Sequence, residues 1–279
     1  MRSGRAVAEG LRAAGYDVVD VVVKSRSIRA LPRDVDAVFV ALHGEFGEDG
    51  GVQKLLERKG LPYTGSDPAA SRASFDKFTT KRLLAAAGVP TPPWEIVDDG
   101  RGCSLPLPVV VKPSCQGSSI GVNRVFRRRQ WAKAAADARR YGRRVLVEAY
   151  IPGRELTVGI VGRQAMPVVE IVAPGGWYDY RAKYTAGQTT YICPAKIPAA
   201  VAARCRELAL RTFRALGCRG LGRVDFRLSP DGGLYVLELN NIPGFTATSL
   251  LPKAALAAGI AFPDLCDRIV RDAWRAHVA

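Results

Sequence analysis

The sequence predicts a mixed α/β protein, an incomplete doubly wound N-terminal part followed by two α+β modules. Three observations carry that expectation. Helical stretches alternate with short apolar strands in the first part of the chain. Gly and Pro punctuate the pattern, with Gly15, Gly60, Gly88 and the Pro152–Gly153 pair each closing an element. A polar-faced hairpin is readable late in the chain, from Gly222 to Asn241. The boundaries predicted are 1–67, 68–150 and 151–279. The 279 residues suffice for modules with a sizeable buried core.

The elements follow in order. Ser3–Ala14 has helical spacing and Gly15 closes it. Asp17–Val23 and Ala37–Ala41 read as buried strands, and Gly51–Lys59 as a helix ended by Gly60. The second module opens near Pro68 with a helix over Phe75–Ala87. Strands follow at Trp94–Val97 and Pro108–Lys112, then a Gly/Ser loop, a strand near Gly121–Val125, a basic helix and the strand Val145–Tyr150. The third module has strands Glu155–Val161 and Met166–Val172. After them comes Pro174–Pro194, a loop of a length that is uncommon outside lids. A helix over Ala199–Leu216, the hairpin Leu221–Leu239 and two terminal helices complete the chain.

Composition narrows the function classes. A hydrophobic fraction of 48% and a charged fraction of 24% are ordinary for a soluble globular protein. No run approaches the roughly 18 apolar residues of a membrane helix, and the start MRSGRAVAEG lacks the apolar core of a secretory signal. A cytoplasmic protein is expected, with no membrane partner. Cys103, Cys115, Cys193, Cys205, Cys218 and Cys266 are scattered, form no C-x-x-C pair and read as reduced structural thiols. The net charge of +15 resides largely on Arg in helical stretches such as Arg127–Arg129 and Arg139–Arg144. Such a surface could attract nucleic acid, but no aromatic-interleaved, finger or helix-turn-helix pattern accompanies it. A solvated basic surface is the expectation, with no nucleic-acid partner.

The clearest chemistry lies in the hairpin. With Pro230–Gly233 as its turn and Ser229 opposite Leu234, Asp225 falls opposite Glu238 and Arg223 opposite Asn240. Alternation then puts Arg223, Asp225, Glu238 and Asn240 on one face. Val224, Phe226, Leu228, Tyr235, Leu237 and Leu239 fall on the other. Opposed carboxylates repel unless something neutralises them. A divalent cation of the Mg²⁺ type would do so, as would salt bridges to Arg223 and Arg227. A second feature is Val109–Val122, a strand, Lys112, and a loop whose backbone N–H groups and hydroxyls, Ser118 and Ser119, suit a phosphate or a plain turn. It is no Walker A motif. Glu148 sits in an apolar strand, a costly place unless it is paired or functional. Glu155 lies across the Pro152–Gly153 hinge from it.

Taken together, four segments resemble the D-alanine–D-alanine ligases of the ATP-grasp superfamily. They are His43–Asp67, Phe75–Pro92, Val110–Val122 and Gly222–Pro252, and the lid segment Trp177–Ala195 fits as well. The resemblance spans nearly the whole chain in order. It implies ATP-dependent joining of two D-alanines through an acyl phosphate for peptidoglycan precursors, with two Mg²⁺ (or Mn²⁺) ions, in a homodimer. It implies that Lys77, Lys112, Ser119 and Lys183 contact ATP phosphates. Glu148 would meet the adenine amino group and Glu155 the ribose. Asp225, Glu238 and Asn240 would ligate the metal. Arg223 and the Gly244 N–H would form an oxyanion site. Ser118 and Tyr184 would order the lid, Ser249 would hold the second substrate's carboxylate, and His43 would lie near the first D-alanine.

The family opens with a strand and a loop of the type G-G-x-S-x-E, whereas this chain starts at the helix that follows them. Either the native protein carries that segment upstream of this start, which is the expectation, or the short form is real and its first-substrate site is incomplete; in the chain as written ATP and metal binding are expected intact and the D-alanine site less complete. The other readings weighed are a ligase with a D-lactate or D-serine acceptor and an ATP-binding protein with impaired catalysis.

Overall fold

The computed structural model describes residues 2–98, 102–178 and 187–278. Two antiparallel sheets dominate it. The first takes the order β1 (Trp94–Val97), β4 (Val145–Ala149), β2 (Val109–Pro113), β3 (Asn123–Val125). Helix α5 (Trp131–Arg139) covers it, burying Ala134 and Ala138 against Val109, Val111, Val125 and Val147.

The second sheet is built from β5 (Arg154–Val161), β6 (Gln164–Ala165), β7 (Val169–Val172), β8 (Thr190–Ile192), β9 (Leu221–Leu228) and β10 (Leu234–Asn240). Its main path runs β10–β9–β5–β7–β8. One face is apolar: Leu156, Val158, Ile160, Val224, Phe226, Val236 and Leu239 pack on Cys205, Leu208, Ala209 and Phe213 of α6 (Ala199–Ala215). The opposite face is free to carry polar chemistry. Helix α7 (Leu250–Ala257) crosses it where Gly159 leaves room. A Cβ there would lie 3.0 Å from Leu251 Cγ.

Several elements differ from expectation. The helix expected over Phe75–Ala87 forms as α4 (Lys77–Ala86), and a further helix, α3 (Pro68–Phe75), precedes it. They meet at Asp76, whose extended backbone ends one helix while its carboxylate accepts the Phe78 N–H and caps the next. The loop Pro174–Pro194 ends in strand β8, which pairs with β7 through Tyr191↔Ile171.

The strands expected at Asp17–Val23 and Ala37–Ala41 are not formed. Between α1 (Arg2–Ala13) and α2 (Gly51–Arg58) the isolated parallel bridge Val38↔Tyr63 is the pairing observed among the described residues. Val19 and Val22 are exposed instead of buried. Both segments line an apolar cavity of about 1090 Å³, with Val7, Leu11, Ile28, Val40 and Leu56 on its walls. An apolar alternation becomes a strand only when a neighbouring backbone completes its ladder, and here Asp17–Val23 pairs with none among the described residues and Ala37–Ala41 has the single bridge at Val38.

Candidate active site

The hairpin supplies the centre of the site. β9 and β10 pair with Asp225 opposite Glu238 and Arg223 opposite Asn240, the register expected. Toward the turn the expectation fails by one residue. Leu228, not Ser229, faces Leu234, and a bulge between Val236 and Glu238 absorbs the offset. Val236 therefore enters the core in the place expected for Leu237, and Tyr235 and Leu237 are only partly buried. The bulge re-aims Glu238 onto the polar face.

That face continues onto β5, where Glu155 faces Arg227, Thr157 faces Asp225 and Gly159 faces Arg223. Arg223 grips Asp225 with two parallel bonds, Nε to Oδ1 at 2.9 Å and Nη2 to Oδ2 at 2.8 Å. The Thr157 hydroxyl donates to Oδ1 at 2.6 Å and the Asn240 amide to Oδ2 at 3.0 Å. Burial works against charge on Arg223, but the Asp225 carboxylate outweighs it and holds the guanidinium protonated more firmly than usual. Glu238 meets Lys77 Nζ at 3.2 Å.

Two carboxylates and an amide oxygen on one face are a hard donor set of the kind Mg²⁺ takes beside a nucleotide. Asn240 points its nitrogen at Asp225, which leaves its oxygen for another partner. Arg223 and Lys77 meet the two carboxylates with positive charge, as a cation would. The residues present thus fit a divalent metal. Among the described residues no three or more His, Cys, Asp and Glu gather at a metal site, and on this face the third oxygen donor is the Asn240 amide.

Lys77 also links this face to the loop that follows β2. Lys77, at the start of α4, donates to the Gln116 carbonyl at 2.7 Å, which ties it to the Gly/Ser loop. In that loop Ser118 and Ser119 both take positive φ, 55° and 58°, a conformation non-glycine residues hold at a cost and one concentrated at functional sites. The Ser119 hydroxyl reaches the Tyr178 carbonyl at 3.4 Å, joining the loop to the segment that follows β7. Trp177 of that segment lies under Arg124, 4.7 Å from the ring centre.

Lys112 and Glu148 form an ion pair, and Lys81 completes a triad by pairing with the other Glu148 oxygen. All three are buried. Burial opposes charge on Glu148, and the two ammonium groups outweigh it, so its pKa falls below the usual carboxylate value. Lys81 shares its single counter-ion, and burial pushes it down to about 8. Lys81 also bonds the Thr91 hydroxyl, which donates to the Val236 carbonyl at 2.8 Å. Glu155 lies 3.3 Å from Arg227, whose guanidinium also donates to the Gly153 carbonyl across the hinge.

The far end of the face carries Gly244, Ser249 and His43. Ser249 begins α7, and its hydroxyl accepts the Thr246 N–H at 3.0 Å. A Cβ on Gly244 would lie 3.4 Å from that hydroxyl, so the two are neighbours. His43 is oriented at both nitrogens. Nδ1 lies 3.1 Å from the Ile242 carbonyl, which makes it the donor, and Nε2 takes the Ser3 hydroxyl at 3.3 Å. Ser3 in turn accepts the Phe245 N–H. Burial lowers the His43 pKa and favours the neutral ring.

Contacts thus join Arg223, Asp225, Glu238, Asn240, Thr157 and Lys77 on one face, while Lys81 pairs with Glu148 beside Lys112 and reaches β10 through Thr91, Glu155 pairs with Arg227, and His43, Gly244 and Ser249 lie around the segment that follows β10. Lys183 and Tyr184 lie outside the described residues. Sequence reasoning missed Lys81, Thr157 and Glu48. Lys81 follows Lys77 by one helical turn, and Thr157 follows Glu155 by one strand repeat, so both share a face with a residue already singled out. Glu48 stands in the glycine-rich run Gly44–Gly51 and carried no separable signal.

Two family models match the chain, one described as D-ala D-ala ligase N-terminus over residues 21–66 and one as D-ala D-ala ligase C-terminus over residues 83–271. The D-alanine–D-alanine ligase of Methylacidiphilum infernorum is 44% identical over 280 residues, 99% of this chain and 92% of that one. The enzyme of the same name from Desulforudis audaxviator is 46% identical over 284 residues, 97% of this chain and 92% of that one. The solved D-alanine–D-alanine ligase of Bacillus anthracis complexed with ATP matches with a TM-score of 0.87 at 30% identity, covering 99% of this chain and 92% of that one.

Proposed function

The chain belongs to the D-alanine–D-alanine ligase family, and from that premise we propose that it joins two D-alanines at the expense of ATP, for peptidoglycan precursors. The observation that carries the reading is the polar face of the second sheet. Asp225, Glu238, Asn240, Arg223 and Thr157 converge there under a loop braced by Lys77.

The nucleotide lies between the sheets. Lys77, Lys112 and Ser119 hold its phosphates, Glu148 the adenine amino group and Glu155 the ribose hydroxyls. Lys183 reaches the γ-phosphate from the lid, which Ser118 and Tyr184 order. Asp225, Glu238 and Asn240 would hold two Mg²⁺ or Mn²⁺ ions, which would neutralise phosphate charge when bound.

A carboxylate oxygen of the first D-alanine, set near His43, attacks the γ-phosphorus, and ADP leaves with the electron pair. The lysines offset the charge that builds on the transferring group. The amine of the second D-alanine, whose carboxylate Ser249 holds, then attacks the acyl carbon. Arg223 and the Gly244 N–H receive the oxyanion, and phosphate departs as the peptide bond forms. An acyl phosphate hydrolyses readily, which gives the lid its purpose of excluding water. We read the chain as three modules, 1–67, 68–150 and 151–279, working as a homodimer in the cytoplasm.

Labelled D-alanine tests the order of events. With heavy oxygen in its carboxylate, one label atom passes to inorganic phosphate for each dipeptide formed. Phosphate free of label would rule out the acyl phosphate.

A further inference from the structure

Lys81, Lys112 and Glu148 are all buried where the two sheets meet, and Lys81 has no part in the reaction described above. It stands one helical turn beyond Lys77 on α4 and is enclosed completely. An ammonium group so placed gives up its water and needs an anion in return. Among the described residues its ion-pair partner is Glu148, which it shares with Lys112. Replacing a buried charge by an apolar side chain of similar size is often neutral or stabilising, so burial alone gives no reason for a lysine here.

What distinguishes this ammonium is that its acceptors lie on three separate parts of the chain. It pairs with Glu148 Oε1 on β4, in the first sheet. It donates to the Thr91 hydroxyl, in the segment that joins α4 to β1. It lies 3.4 Å from the Val236 carbonyl on β10, in the second sheet. Three acceptors match the three donors of a lysine. The segment at Thr91 is fastened to the same strand residue. The Val236 N–H donates to the Pro90 carbonyl at 2.8 Å, and the Thr91 hydroxyl donates to the Val236 carbonyl at 2.8 Å.

Both ends of this tie bear on the site. Glu148 gives one oxygen to Lys81 and the other to Lys112, which keeps its carboxylate ionised, fixed in direction and able only to accept. Val236 is where β10 enters the bulge that turns Glu238 onto the polar face. Lys77, on the same helix as Lys81, meets Glu238 itself.

We propose that Lys81 is a positioning residue for the nucleotide, holding Glu148 of the first sheet in fixed relation to the Glu238 end of β10, a role that rests on the reading of Glu148 as the partner of the adenine amino group. Lys81 touches neither base nor phosphate. It acts by pinning the carboxylate, and so it sharpens the choice of base. A carboxylate held ionised between two lysines accepts a hydrogen bond from a 6-amino group and has no proton to offer a 6-oxygen.

Calorimetric titration of the full chain with ATP and with inosine triphosphate, which carries oxygen in place of the amino group, tests the role in Lys81→Met. The unaltered protein is expected to prefer ATP. In the variant ATP binding should weaken about ten-fold or more, the range of one charged hydrogen bond, while inosine triphosphate binding stays within about two-fold. The melting temperature at pH 7 should not fall. ATP binding left unchanged by the substitution overturns the role. Equal weakening of both nucleotides, or a variant that melts lower or does not fold, marks a purely structural lysine and overturns it as well. The titration needs no D-alanine, so a protein that binds ATP without responding to D-alanine can lose the ligase reading and still show the Lys81 effect. No preference for ATP in the unaltered protein overturns the role together with the adenine reading of Glu148.

Discussion

Replacing Lys81 with methionine removes the one lysine that is fully enclosed among the described residues. In the unaltered protein Lys81 and Lys112 share Glu148, so the triad carries an excess positive charge away from water. Burial holds Lys81 at about 8 against an ordinary value of 10.5. A lysine with a lowered folded-state pKa binds fewer protons when folded than when unfolded between those two values, so stability rises with pH across that window. Each pH unit inside it is worth about 1.4 kcal/mol. Between pH 7 and pH 9.5 the Lys81 contribution grows by about 2 kcal/mol. Lys81→Met lacks that contribution and leaves Glu148 and Lys112 as a balanced pair. Replacing a buried charge by an apolar side chain of similar size is often neutral or stabilising, and the Thr91 hydroxyl keeps its bond to Val236. Urea unfolding of both proteins at pH 7, 8, 9 and 9.5 measures the effect, because every other group titrates alike in the two. The gap between them should shift by about 2 kcal/mol toward the unaltered protein as pH rises. Parallel stability curves would refute the reasoning, since Lys81 would then keep its proton throughout.

Three further outcomes follow from the same geometry. Glu148→Gln strands two buried ammonium groups without an anion and should cost about 3–5 kcal/mol at pH 7 by urea unfolding, with weakened ATP binding by calorimetry. Gly159→Val places a branched side chain against Leu251, whose Cγ would already lie 3.0 Å from a bare Cβ. It should cost about 1–3 kcal/mol and, by shifting α7 and Ser249, raise KM for D-alanine more than KM for ATP. Ser119→Gly relieves a left-handed backbone at φ 58°. It should leave stability equal or up to about 1 kcal/mol higher in the same unfolding assay, while the lost hydroxyl weakens nucleotide binding.

Much of the carboxylate face was legible because a strand alternates with a fixed period. Once Asp225 and Glu238 were set opposite each other, Arg223 and Asn240 had to follow on the same side. The bulge was not legible, since Leu237 is as apolar as its neighbours and an inserted residue there barely changes the hydrophobic pattern. Helix α3 was not legible, since its eight residues Pro68–Phe75 carry few apolar side chains to mark a buried face, although Asp67 and Asp76 cap the two helices. Val18–Val23 carries the composition of a strand, yet strand formation depends on a neighbouring backbone that no local pattern encodes. Glu48 eluded the sequence for a similar reason. Its position arises from the meeting of loop 44–48 with Gly117 and Asn241, contacts between parts of the chain far apart in sequence.

The most direct test of the central claim is release of phosphate from ATP and Mg²⁺, with and without D-alanine, followed in parallel with dipeptide formation. Phosphate release that depends on D-alanine, one phosphate for each D-alanyl-D-alanine made, is the predicted result. ATP binding without any response to D-alanine would contradict the assignment of substrate and reaction alike.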